Sequence, residues 1–111
     1  MSRTLLYILL GCALLPLNAL AEWDYPPSAQ LAMYDAVEHR CGAFDPAVFR
    51  KEYEKMLMNF TEEERSDIAA IRQSAEYREV LTDTNKELEE MIAAAGEDGE
   101  AIVCKRMIER F

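Results

Sequence analysis

The chain has 111 residues, with 12 Lys and Arg against 21 Asp and Glu, a formal net charge of −9 at neutral pH and half of its residues hydrophobic. Such an acidic surface repels phosphate backbones and anionic lipid head groups, so nucleic acid is not an expected partner. The length admits one domain with a core of marginal size, and no motif in it specifies a reaction.

Residues 1–21 read as an export signal. Arg3 supplies a small positive region, 5–15 is an almost uninterrupted apolar run, Pro16 breaks it, and Ala19-Leu20-Ala21 puts small residues where a signal peptidase reads. The run is short for a bilayer span and is followed at once by the polar Glu22-Trp23-Asp24. Cleavage after Ala21 would place a single helical domain at 22–111 in the periplasm or outside the cell. A competing reading takes Leu9-Leu10-Gly11-Cys12 as a lipobox, which would anchor the protein to a membrane through an acylated Cys12. Against it, Leu10 is large for its position, and the apolar run continues past Cys12 to the better-formed Ala-x-Ala site. Removal of the leader takes Arg3 with it and leaves eleven basic against 21 acidic side chains, a net charge of −10.

The same cleavage removes Cys12 and leaves Cys41 and Cys104, an even pair in an oxidising compartment, for which one disulfide is the natural reading. The spacing is far from the Cys-x-x-Cys of redox and metal sites. A closed loop of about 64 residues is worth roughly 4 kcal/mol in chain entropy, comparable to the whole net stability of a small domain.

Pro26-Pro27 favours an extended lead-in, and a helix is expected from about Ser28, with Leu31, Tyr34, Val37 and Cys41 on one face and Gly42 at the C-terminal cap. Asp45-Pro46 then reads as an N-cap with proline at the first helical position, followed by the stripe Phe49, Tyr53, Met56, Leu57 and Phe60. Thr61-Glu62-Glu63-Glu64 is a capping box that opens a third helix. Its apolar period, through Ile68, Ile71, Ala75, Leu81, Leu88, Ile92 and Ala95, persists to Gly96, but an unbroken rod over 62–95 would be about 50 Å long, too long for so small a domain. A break is therefore expected at Thr82-Asp83-Thr84-Asn85, the weakest helix formers in the run, with Thr84 and Glu87 as a second capping box. Gly96-Glu97-Asp98-Gly99 is a turn, and a last helix turns Ala101, Cys104, Met107, Ile108 and Phe111 inward. The fold class is thus all-α, a small bundle of four to five short helices closed by one disulfide that ties the terminal helices together.

Candidate chemistry is sparse. His39 is the single histidine, and Asp35 lies four residues before it on the same helical face, the spacing of an acid/base pair or of two metal ligands. No recognisable motif elsewhere supplies the further ligands a site needs, so His39 reads as a surface residue favoured by the helix C-terminus. Met56-Leu57-Met58 has the Met-x-Met form of soft copper sites, yet residues two apart on a helix point about 200° from each other, which predicts one core and one exposed side chain. The mature serines Ser28, Ser66 and Ser74 sit in no nucleophile elbow. Glu62-Glu63-Glu64 and Glu87, Glu89, Glu90 read as solvated helix faces. No catalytic, cofactor or metal site is assigned, and an enzyme is not expected.

What remains is a protein-binding module of a bacterial envelope, such as an inhibitor, an immunity-type protein or an adaptor. It would present an acidic helical face to a basic partner, with Tyr34, Tyr53, Met58 and Tyr77 as candidate anchors. In size, export, single disulfide and helical make-up the chain is also similar to the small periplasmic acid-stress chaperones of the HdeA type. That resemblance implies a fold that opens in acid, as carboxylates protonate, and exposes apolar surface to clients.

Overall fold

The structure, a computed structural model, describes residues 25–111; the expected export signal, its cleavage site and Cys12 lie outside them. Every regular element among the described residues is helical: α1 (Pro27–Cys41), a 3₁₀ turn (Gly42–Phe44), α2 (Pro46–Met58), α3 (Glu62–Ser66), α4 (Ile68–Ile71), α5 (Ala75–Ala95) and α6 (Gly99–Glu109). The all-α bundle closed by one disulfide is the architecture observed, with the third expected helix divided into two single turns before the long α5.

Helix α1 is the centre of the bundle. Six consecutive residues, Ser28 to Met33, are buried, together with Ala36, Val37 and Cys41, so the helix is enclosed on most sides rather than along the one stripe its large apolar residues mark. The small side chains Ala29, Ala32 and Ala36 let neighbours approach its backbone closely. Gly42 ends the helix, but in a right-handed conformation (φ −58°) that runs on into the 3₁₀ turn, not in the left-handed cap its position suggests.

Two of the expected caps are present. The Asp45 carboxylate accepts from the Val48 amide at 3.3 Å ahead of Pro46. The Thr61 hydroxyl accepts from the Glu64 amide at 3.1 Å, while the Glu64 carboxylate accepts from the Thr61 amide at 2.8 Å. Each satisfies amides that a helix start leaves orphaned. Beyond α3 the backbone kinks at Asp67 (φ −115°, ψ 23°) and turns again after Ile71.

The expected break at Thr82-Asp83-Thr84-Asn85 is not there. Helix α5 runs unbroken through it for 21 residues, about 31 Å at the standard rise. The chain turns earlier instead, at Arg72 to Ser74, where the Ser74 hydroxyl caps the new helix by accepting from the Tyr77 amide at 3.2 Å. Thr84 is no cap: it is 3 % exposed, inside the bundle. Burial of Tyr77, Val80, Thr84 and Leu88 along one side of α5 outweighs the few tenths of a kcal/mol by which Thr, Asp and Asn disfavour a helix.

Cross-chain contacts set the directions. Ser28 bonds Glu76 near the starts of α1 and α5, and Arg40 bonds Glu89 near their ends, so these two helices run parallel. Helix α2 returns the chain between them: Phe49 packs at the C-terminal end of α1, and Met56 with Phe60 packs beside Ala29, Leu31 and Met33. Helix α6 turns back along α5 through Gly96 to Gly99. The Cys41–Cys104 disulfide joins the end of α1 to the middle of α6 (Cα–Cα 5.2 Å). One core cluster surrounds the disulfide (Val37, Phe49, Leu88, Val103, Met107), and a second fills the other end (Leu31, Met33, Met56, Phe60, Tyr77, Val80). Tyr34 and Leu81 pack against both and join them.

The inward face expected of α6 is corrected in part. Cys104 and Met107 are buried and Ile108 packs on the core, but Val103 takes the place expected of the exposed Ala101, and Phe111 stays 39 % exposed with its ring edge-on to Phe49 at 5.2 Å.

Candidate functional site

The most developed polar arrangement is built on Asp35. Its position on α1 aims the carboxylate at the turn between α4 and α5. There Arg72 donates from Nε to Oδ2 at 2.8 Å and from Nη2 to Oδ1 at 2.9 Å, a bidentate pair. The Tyr77 hydroxyl donates to Oδ2 at 2.5 Å. Burial, and then the bond to Asp35, push the Tyr77 phenol up to about 12. The hydrogen bond to Asp35 raises the Arg72 guanidinium further above its ordinary value, so it stays charged at any pH the fold meets.

Beside this link stands an aromatic group. The Tyr34 hydroxyl donates to the Phe49 carbonyl at 2.9 Å, and its ring lies 6.2 Å from Phe49 and 5.3 Å from Tyr53, centroid to centroid. Burial, and then the nearby carboxylates of Glu38 and Asp35, push the Tyr34 phenol up to about 12. The arrangement ties α1 to α2 and α5. With both Asp35 oxygens engaged by donors, the carboxylate is committed to holding helices together.

The same commitment decides the Asp35/His39 pair. Asp35 is engaged by Arg72 and Tyr77, and His39 lies exposed in the last turn of α1. Among the described residues no group of three or more His, Cys, Asp or Glu could hold a metal ion. The Met-x-Met pair divides as its spacing predicts, with Met56 at 8 % exposure and Met58 at 79 %.

The four candidate anchors are therefore not one surface. Tyr77 is in the core at 8 % exposure, with its hydroxyl turned to Asp35. Tyr34 and Tyr53 are half-buried and packed against the interior. Met58 alone stands well into solvent, at the C-terminal end of α2, while the half-exposed Phe44 precedes the opposite end of that helix. Amphipathic spacing marks a tyrosine as facing inward but does not say whether its hydroxyl emerges into water, so Tyr77 could not be separated from a surface anchor by pattern.

A second feature escaped the sequence reading. Residues 62–100 carry 13 acidic and four basic side chains, and three of those four cations are held in place by hydrogen bonds. Arg65 donates to the carbonyls of Leu57 at 3.0 Å and Phe60 at 2.6 Å, Arg78 donates to the Gln73 carbonyl at 2.9 Å, and Arg72 is paired with Asp35 on α1. Glu79 and Glu90, eleven residues apart and so on one side of α5, are exposed, as are Glu97 and Asp98 in the following turn. Lys86 is exposed on that same side of α5, so the outer side carries both signs with acidic side chains in excess. Arg40 reaches this end of the molecule, bonding Glu89 at 3.2 Å and standing 3.9 Å from Glu100.

No helix among the described residues is long and apolar enough to cross a membrane. The chain matches no protein-family model, no curated protein and no solved structure.

Proposed function

We propose that this protein is an exported, periplasmic or secreted, non-enzymatic protein-binding module of the inhibitor, immunity or adaptor kind, which takes a basic partner. The observation that supports the reading is the acidic excess of residues 62–100, 13 carboxylates against four cations, with Glu79 and Glu90 exposed on one side of α5. Fields of this sort steer a positively charged partner and fix its orientation, while a few apolar side chains at a contact supply most of the affinity. Met58 and Phe44 are the exposed apolar side chains flanking α2 that could do so.

Crosslinking in the native compartment, followed by mass spectrometry and reconstitution from pure components, tests the proposal. A stoichiometric complex is expected to weaken steeply with added salt. Pairing Glu79→Lys with Glu90→Lys should slow association about tenfold or more while leaving the helical spectrum intact. A complex indifferent to both salt and charge reversal would remove the basis of this reading.

A specific observation also favours the acid-chaperone alternative. The chain carries 21 Asp and Glu against 12 Lys and Arg, so protonation of its carboxylates in acid turns the net charge strongly positive and self-repulsion works against the fold. On this reading the opened protein suppresses aggregation of clients in acid. Circular dichroism and ANS fluorescence across the acid range, beside a client light-scattering assay, separate the two. Opening without client protection leaves the binding module alone.

A further inference from the structure

Among the described residues one sulfur-bearing side chain is far more exposed than the others. Cys41 and Cys104 are fully buried and joined to each other, so they offer no thiol to an oxidant. Met33, Met56 and Met107 are 5 %, 8 % and 4 % exposed, and Met91 is half-buried against the disulfide-side core. Met58 is 79 % exposed. It is the last residue of α2, two positions from the buried Met56 and therefore on the opposite side of the helix. A thioether reacts with peroxide only as fast as the oxidant can reach the sulfur lone pair, so burial separates residues of equal intrinsic reactivity.

We propose that Met58 is a modification site, the position among residues 25–111 at which hydroperoxides act first. The sulfur lone pair attacks one peroxide oxygen, the O–O bond breaks and an S–O bond forms. The thioether loses two electrons and becomes a sulfoxide, and the peroxide, with its proton shifted to the departing oxygen, leaves as water or an alcohol. Because Met58 holds up nothing in the interior, the fold accepts the change, and a mobile apolar side chain becomes a polar one at the end of α2. The assignment stands whether or not Met58 also anchors a partner.

Dilute hydrogen peroxide added to the disulfide-bonded protein, with intact mass and peptide mapping over time, tests it. Met58 should take up the first oxygen at least about tenfold faster than Met33, Met56 or Met107, with Met91 next, and the helical spectrum should not change. In concentrated denaturant the same five methionines should react at similar rates, which shows that the fold sets the order. The variant Met58→Leu should slow uptake of the first oxygen by a comparable factor while folding normally. Equal rates at Met58 and Met91 in the folded protein, or a Met58→Leu protein that takes up its first oxygen as fast as the parent, would overturn the assignment.

Discussion

Replacing Asp35 by Asn keeps the shape of the side chain but removes the charge that the Arg72 guanidinium grips with two nitrogens. The pair is only partly shielded from water, which moderates its worth, but the Tyr77 hydroxyl loses its charged acceptor in the same step. We expect Asp35→Asn to lower stability by about 2 kcal/mol in urea unfolding, more than an exposed ion pair costs. The two raised phenols predict an alkaline limit. Tyr34 and Tyr77 are pushed up to about 12 in the folded chain from an ordinary 10, so the folded state holds its phenol protons more tightly than the unfolded state. Their contribution is fully present below about pH 10 and is lost as pH rises toward 12. Urea midpoints measured across that window should fall for the parent and fall less for Tyr77→Phe. Absorbance of the phenolate should show two tyrosines titrating late. Asp35 was legible as a candidate from its distance to His39, but its true partners, Arg72 and Tyr77, lie 37 and 42 residues away, and no local spacing encodes them.

At the scale of elements, the starts of α2 and α3 were legible, whereas the start of α5 and the place of the break before it were not. Asp45 and Thr61 cap by bonding amides two or three residues on, a geometry contained in a few adjacent residues. Continuity of α5 depends instead on what Thr84 packs against. Thr82, exposed in the middle of that helix, gives a direct test: Thr82→Ala should stabilise the protein by about 0.5 kcal/mol, as an alanine in a continuous helix does. The turn into α6 is tighter. Gly96 adopts φ +93°, which strains any other residue, and a Cβ on Gly99 would run into the carbonyl of Ile92 in the preceding helix. Gly99→Ala should therefore cost about 1–3 kcal/mol, read as a lower melting temperature, because the start of α6 must shift away from α5.

Across the whole molecule the disulfide matters most, since α1 and α6 are 63 residues apart at the bridged cysteines. Replacing both cysteines by serine should remove about 4 kcal/mol on the chain-entropy argument, enough to leave so small a domain marginal or unfolded near body temperature. Thermal melts of the parent with and without reductant check this without mutation. Acid acts on the molecule as a unit: below about pH 4 the carboxylates as a class lose their charge and the net charge turns positive, so self-repulsion is expected to unfold the chain there.

The sequence by itself determined the helical class and the caps at Asp45 and Thr61, because each follows from composition or from contacts within one turn of chain, and it pointed to the Cys41–Cys104 pair once Cys12 is assigned to the expected leader. Only the tertiary structure decided that α1 is enclosed, that α5 runs unbroken past Asn85, that Tyr77 is interior while Met58 is not, and that Asp35 meets Arg72 and Tyr77. These depend on which distant residues meet, and a helical period states which face is apolar without stating what covers it.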